Sequence, residues 1–339
     1  MARLQPGTWI ITGAAGFIGS RMVERCRSRG HDVMSVDELE FFDTRPEHSQ
    51  LDFGQRIAKD DLIDALESGA IAKPAIIIHL GACSSTTELN TEFLQRVNVQ
   101  YSQALWNYCS KNAIPFVYAS SAATYGDGEA GYEDDEKAIS ALRPLNPYGE
   151  SKRLFDLWAI EQDEQGHRPP FWSGFKFFNV YGFGERHKKG QASVVLHAFD
   201  QIRKTGLVKL FQSHRAGIRD GEQKRDFIWV GDVIDVLEFA AMKPLARGIY
   251  NLGTGQARSF LDLARATFLA LNAEEKIEFI PTPEALRNRY QYFTQACMEK
   301  LRKAGYSAPF TSLEEGVRKT AQELLAFERR FTVTKTTPT

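Results

Sequence analysis

The 339-residue chain has almost no excess of charge of either sign: 42 Lys and Arg stand against 43 Asp and Glu, a net of −1. So balanced a surface offers no general field for nucleic acid or an anionic membrane, and neither partner is expected. Cysteine is scarce and scattered. Cys26, Cys83, Cys109 and Cys297 form no C-x-x-C pair, so neither a zinc site nor a disulfide framework is expected and no metal is assigned. No apolar run reaches the roughly 18 residues of a membrane span. The opening MARLQPGTWI has neither the apolar segment nor the cleavage site of a signal peptide. Internal repeats and low-complexity linkers are missing too. These absences leave a reducing, cytoplasmic setting and a small-molecule ligand as the expectation. One local excess stands out: 203–225 is basic (Arg203, Lys204, Lys209, Arg215, Arg219, Lys224, Arg225), which suits a small polyanion.

What is present is a βαβ rhythm. Short apolar runs at Trp9–Ile11, Val33–Val36, Ala75–Leu80, Phe116–Ala119 and Gly174–Phe178 read as strands covered on both faces. Between two of them, Leu94, Val97, Tyr101, Leu105 and Tyr108 recur at steps of three and four, the stripe of a helix packed on a sheet. The alternation predicts an α/β fold, a Rossmann-like doubly wound parallel sheet with a smaller α+β substrate domain. The dinucleotide-binding domain is expected over 1–180, with 226–252 returning to it. The substrate domain is expected over 181–225 and 253–330. The polar segment 127–146 reads as a surface excursion, and the tail RFTVTKTTPT as frayed.

Three groups of residues point to chemistry. WIITGAAGFIGS places Gly13, Gly16 and Gly19 after the first strand and at the opening of a helix, where a backbone can approach a pyrophosphate. Asp37 ends the second strand, the place of an acid that holds adenosine ribose hydroxyls. Tyr148 and Lys152 fall on one helical face behind Pro147. A buried Lys152 cation would lower the phenol's pKa and make it a base. Such a Tyr-x-x-x-Lys spacing also arises by chance, so its context matters. YASSAATYG ends a sheet strand with hydroxyls, and Ser121 is placed to bond the same substrate oxygen, although serines there also form turns.

TGAAGFIG, SSAATYG and YGESK, in this order, resemble the extended short-chain dehydrogenase/reductase superfamily, whose members bind NAD(P) and rework nucleotide sugars. HLGACSSTTE, ASSAATYG, FNVYG, HKKGQASV, KRDFIWVGDV, IYNLGTG and RYQYFTQA resemble one family within it more closely, the ADP-L-glycero-D-manno-heptose 6-epimerases. The resemblance implies a homo-oligomeric isomerase with one NADP or NAD per subunit, retained through turnover, acting on an ADP-sugar. It implies catalytic roles for Tyr148, Lys152 and Ser121, and for Lys188 as a second base for the opposite face of C6. On residues alone, Lys188 and Lys189 are equally a solvated pair. The implied cofactor contacts are Gly13, Gly16, Phe17, Ile18, Gly19, Asp37, Glu38, Lys59, Leu80, Gly81, Ala82, Cys83, Ser84 and Asn98, then Tyr148, Lys152, Val180 and Lys188. The implied substrate contacts are Ser121, Asn179, Gly190, His197, Phe211, Gln212, Ser213, His214, Arg225 and Tyr290. Without the resemblance, Asn98 and Tyr290 read as core, His197 as packed or solvated, and Arg225 as a surface charge. Lys176, inside a strand, reads as structural.

Departures exist. Gly190 stands where some members carry serine, and 213–223 is longer than in the shortest members. Asp37-Glu38 replaces a common Asp-Asn, which disfavours a 2′-phosphate unless Arg45 or Lys59 offsets it, whereas the family generally favours NADP. Rival readings are a nucleotide-sugar 4-epimerase, a dehydratase, and a non-catalytic NAD(P)-binding sensor. Ala122-Ala123 stand where dehydratases usually carry Asp-Glu, which counts against elimination. Retention of both Tyr148 and Lys152 counts against a sensor.

Overall fold

The computed structural model describes residues 7–243, 245–287 and 290–335. Its strands are β1 (Trp9–Thr12), β2 (Val33–Asp37), β3 (Gln55–Ala58), β4 (Ile76–His79), β5 (Phe116–Ser121), β6 (Trp172–Phe177), β7 (Asn179–Tyr181), β8 (Val208–Phe211), β9 (Lys224–Trp229), β10 (Gly248–Leu252), β11 (Ala257–Ser259) and β12 (Ile277–Ile280). The helices are α1 (Phe17–Ser28), α2 (Leu39–Thr44), α3 (Leu62–Glu67), α4 (Thr91–Leu94), α5 (Tyr101–Lys111), α6 (Pro147–Glu164), α7 (Val194–Thr205), α8 (Val230–Met242), α9 (Phe260–Ala270), α10 (Glu284–Arg287), α11 (Glu299–Lys303) and α12 (Leu313–Lys335). Two compact units share the chain. The first holds 1–178, 233–252 and 296–308; the second holds 179–232, 253–295 and 309–339.

In the first unit, seven parallel strands run in the order β10-β6-β5-β4-β1-β2-β3. This is the doubly wound sheet expected from the apolar runs. Ile76, Ile77 and Ile78 are all wholly buried, as strands covered on both faces require; each such side chain stabilises the fold by roughly 1.5–3 kcal/mol. Aromatic rings fix α5 and α6 on β5 and β6: Trp106 meets Trp172 at 5.0 Å, and Tyr118 meets Phe155 at 4.9 Å, both edge-on.

The helix after β4 departs from the expected stripe. Its buried residues are Leu94, Asn98, Val99, Ser102, Leu105, Trp106 and Cys109, while Val97, Tyr101 and Tyr108 are only half-buried. The cause is a π-helical turn at Gln95–Gln100 between α4 and α5, which inserts a residue and rotates the following face. Segment 127–146 is mostly exposed or half-buried, yet Asp134 is buried and accepts the Asn251 N–H at 2.8 Å. In the tail, helix α12 continues to Lys335 where fraying was expected; residues 336–339 lie outside the described ones.

The second unit pairs β9 with β7 in parallel and with β11 antiparallel, and β12 with β8 in parallel. Tyr181, Val195, Phe227, Leu263 and Val317 form one of its cores. Among the described residues, no helix is long and apolar enough to cross a membrane.

Candidate active site

Strand order reverses between β1 and β4, and at such a point the loops leaving the carboxyl ends open a crevice. The two loops here are 13–16 and 80–84. Gly13 has φ +66°, and a Cβ on it would lie 2.6 Å from the Gly81 nitrogen, so the loops meet backbone to backbone. A Cβ on Gly19 would collide with the Gly13 carbonyl, which α1 packs against directly. Phe17 and Ile18 open α1, and a helix N-terminus favours an anion. At the end of β2, the Asp37 carboxylate accepts the N–H of Ala15 and of Glu38, both at 2.9 Å. Burial pushes this carboxyl above its ordinary range despite both hydrogen bonds. Beside it, Lys59 pairs with Glu38 at 2.9 Å. Arg45 donates to the Ala15 carbonyl and lies over Phe41.

A directed chain of hydrogen bonds ties these loops to the helix beyond. The Gly81 N–H donates to Thr12 Oγ1 (3.1 Å), which contacts His79 Nδ1 (2.6 Å); His79 Nε2 contacts Ser102 Oγ (2.8 Å), which donates to the Asn98 carbonyl (2.7 Å). A carbonyl only accepts, so Ser102 spends its proton there and must accept from Nε2–H. His79 is thereby fixed as the Nε2–H tautomer, and Nδ1 accepts from Thr12. Burial pushes the ring down to about 3, with Lys152 adding to the fall. Asn98, in the π-helical turn, spans Cys83 with both amide groups: Oδ1 accepts the Cys83 N–H at 2.8 Å, and Nδ2 donates to the Cys83 carbonyl at 2.9 Å. The same Nδ2 reaches Ser151 Oγ, and Ser151 donates to the Tyr148 carbonyl.

Asn146 caps α6 by accepting the Gly149 N–H at 2.8 Å, and Pro147 opens it. A Cβ on Gly149 would lie 2.7 Å from the Ala123 carbonyl, so the helix starts hard against the turn that follows β5. This brings the Ser121 hydroxyl into a hydrogen bond with the buried Tyr148 phenol. The Lys152 ammonium donates to the Ala119 carbonyl at 2.9 Å and is pushed down to about 8, burial outweighing the Asp156 carboxylate that raises it. The phenol differs from the sequence expectation. Burial raises Tyr148 above the ordinary value, outweighing the Ser121 hydrogen bond, and Lys152 is not among the groups acting on it.

The second unit carries the remaining candidates in two places. Lys188 lies in the turn Arg186–Gln191 and pairs with Glu185 at 3.5 Å. Glu185 is buried and accepts from the Gly182 N–H, the Ser193 N–H and the Ser193 hydroxyl. Lys189 is exposed and has φ +51°. A Cβ on Gly190 would meet nothing within 4 Å, so a serine fits there. Ser193 caps α7, which carries the half-buried His197. Elsewhere, Arg225 on β9 is buried, donates to the Gln291 carbonyl and lies 5.5 Å from the Tyr290 ring. Tyr290 also packs edge-on against Phe211 and His214, and Gln212 and Ser213 continue the chain between those two. Asn179 is exposed and Val180 half-buried on β7.

Several residues of consequence escaped sequence reading: Thr12, His79 and Ser102 in the chain above, Asp156 on α6, and Glu185. Asp156 alone carried a usable signal, falling four residues after Lys152 on the same face. Thr12 and His79 lie 67 residues apart and His79 and Ser102 23, beyond the reach of any local pattern.

The profile of the NAD dependent epimerase/dehydratase family matches residues 9–253. An ADP-L-glycero-D-manno-heptose-6-epimerase of Fusobacterium nucleatum is 45% identical over 332 residues, covering 95% of this chain and 99% of that protein. One from Nitratidesulfovibrio vulgaris is 41% identical over 320 residues, covering 94% and 98%. The crystal structure of the Helicobacter pylori ADP-L-glycero-D-manno-heptose-6-epimerase superimposes with a TM-score of 0.78 at 27% identity, covering 95% and 97%. With relatives matched from end to end and the family profile spanning most of the chain, this protein belongs to the NAD dependent epimerase/dehydratase family, among the ADP-L-glycero-D-manno-heptose-6-epimerases.

Proposed function

We propose that this chain inverts C6 of the heptose in ADP-D-glycero-β-D-manno-heptose, giving the L-glycero epimer. The observation that carries the chemistry is the hydrogen-bonded Ser121–Tyr148 pair with the buried Lys152 ammonium one turn along the helix. Gly13, Gly19 and Gly81 let the two loops and the start of α1 meet backbone to backbone at the crevice, which fits the close backbone approach a dinucleotide needs. When bound and retained, one per subunit, the nicotinamide group supplies reversible hydride transfer for transient oxidation of C6 to a ketone. Tyr148 takes the C6 hydroxyl proton and returns one, and Ser121 orients the oxygen. Inversion presents the opposite face of C6 for the return step. Lys188, held by Glu185, serves as the acid/base there, and Arg225 with Tyr290 binds the ADP part. The Glu38 carboxylate disfavours a 2′-phosphate, so the reading favours NAD over NADP; Lys59 is already engaged with Glu38. A homo-oligomer working in the cytoplasm completes the reading.

The test is incubation with ADP-D-glycero-β-D-manno-heptose and NMR of the C6 proton. Conversion without added cofactor is the expected result. Conversion of a 4-hydroxyl sugar nucleotide instead would favour the 4-epimerase reading.

A further inference from the structure

Tyr148 and Lys152 are followed on the same face of α6 by Asp156, at i, i+4 and i+8. The Asp156 carboxylate is wholly buried. It accepts the Tyr118 hydroxyl at 3.0 Å and the Ser120 hydroxyl at 2.7 Å, both from β5, and pairs with Lys176 of β6 at 3.3 Å. Lys176 is wholly buried too. Its ammonium donates to Thr124 Oγ1 at 2.6 Å and lies 4.7 Å from the Tyr125 ring; Thr124 in turn donates to the Ser121 carbonyl at 2.8 Å. A desolvated ion pair is a poor device for stability alone, since apolar residues of the same volume often do as well. Its position is informative. The pair stands between the sheet and the helix that carries the acid/base, and it reaches the backbone of Ser121.

We propose that Lys176 is a positioning residue for the reaction: it offsets the charge of the Asp156 carboxylate on the helix that carries Tyr148 and Lys152, and it fixes the Ser121 turn through Thr124. The proposal rests on the reading of Tyr148 as acid/base. The charges are two ammonium groups and one carboxylate, a surplus of one positive charge that a phenolate at Tyr148 balances. Other groups face this cluster. Cys83 acts on Tyr148 and Lys152; His79 faces Lys152; Asp134 and Glu136 act on Lys176; and Tyr118 and Tyr125 are kept protonated by burial. The Asp156 carboxylate acts to raise both Lys152 and Tyr148, the direction in which loss of the Lys176 countercharge would move them further.

The experiment is the pH–rate profile of epimerisation, comparing Lys176→Met, Lys176→Gln, Asp156→Asn and the double variant Asp156→Asn/Lys176→Met. Eight helical residues put the charge about 12 Å from Tyr148. At an effective dielectric constant near 20, one charge at that distance moves an apparent pKa by roughly one unit. Both Lys176 variants are expected to shift the acid limb of the Tyr148–Lys152 pair upward by that amount. Asp156→Asn, isosteric and the safer fold, shifts it downward. The double variant, with unchanged total charge, returns it to the wild-type position. A purely structural pair would lower the rate at every pH and leave the limb in place. That result, or a shift that persists in the double variant, overturns the proposal. Tyr148→Phe separates the two levels: an active Tyr148→Phe enzyme defeats the reading of the site, whereas an inactive one with an unmoved limb in the Lys176 variants defeats only the role of Lys176.

Discussion

Acidification should destabilise this protein through His79, and the size of the effect follows from its surroundings. Protonating the ring would place a cation in a wholly buried site. It would also turn Nδ1 from acceptor to donor, leaving the Thr12 hydroxyl proton without its partner. The ring's value is pushed down to about 3, from an ordinary value of 6.5. The folded value lies below the unfolded one, so the unfolded chain takes the proton first as pH falls. The stabilisation is therefore fully present above pH 6.5 and is lost progressively between 6.5 and 3. At pH 5 the loss is about 2 kcal/mol relative to pH 7.5, from RT times the logarithm of the ratio of the two binding polynomials. The perturbation is His79→Gln, which carries an amide in place of the titrating ring. It costs a fixed amount in broken hydrogen bonds, but that amount cancels when each protein is compared with itself at the two pH values. Urea unfolding followed by tryptophan fluorescence supplies the four free energies. The wild type should lose about 2 kcal/mol more than the variant between pH 7.5 and 5. Equal losses in the two proteins would refute the reasoning, because every other titrating group, the buried His48 included, is common to both.

Gly19→Ala drives a methyl group into the Gly13 carbonyl and should abolish dinucleotide binding, measured by nucleotide released on denaturation and by titration. Tyr148→Phe keeps the packed ring and should lower kcat by about 10²–10⁴-fold while leaving bound cofactor in place. Lys188→Met should cripple epimerisation and spare cofactor retention, whereas Lys189→Met, on an exposed side chain, should do little. If both lysine variants turn over normally, the second acid/base lies elsewhere.

The sheet was legible because its strands are buried on both faces and so read as apolar runs, as with Ile76–Ile78. The edge strand β3 was missed, since Gln55 and Arg56 are exposed and carry no such signal. The helical stripe was read correctly at Leu94 and Leu105 but not at Val97, Tyr101 or Tyr108. A uniform 3.6-residue period does not foresee the π-helical turn between them. In the site, the glycines and the Tyr148–Lys152 spacing were legible because they are local. The depressed phenol was not found, because burial depends on what packs over Tyr148, and no spacing reports that. Lys176 illustrates the same limit. Its strand position was plain, but its partners Asp156 and Thr124 lie 20 and 52 residues away.

The order in which the strands leave the ribosome follows from the interleaving of the two units. Six strands of the seven-stranded sheet are complete by Phe177, but β10, which covers the outer side of β6, begins only at Gly248. For about seventy residues of synthesis, at roughly 5–20 residues per second, β6 is an open edge. In the finished protein Trp172 to Lys176 are buried, so this edge is apolar and carries one buried cation. An uncovered strand of that kind templates pairing with other chains. A nascent chain stalled or truncated before residue 248 is therefore the form of this protein most exposed to aggregation, and the arrival of GIYNL closes that window.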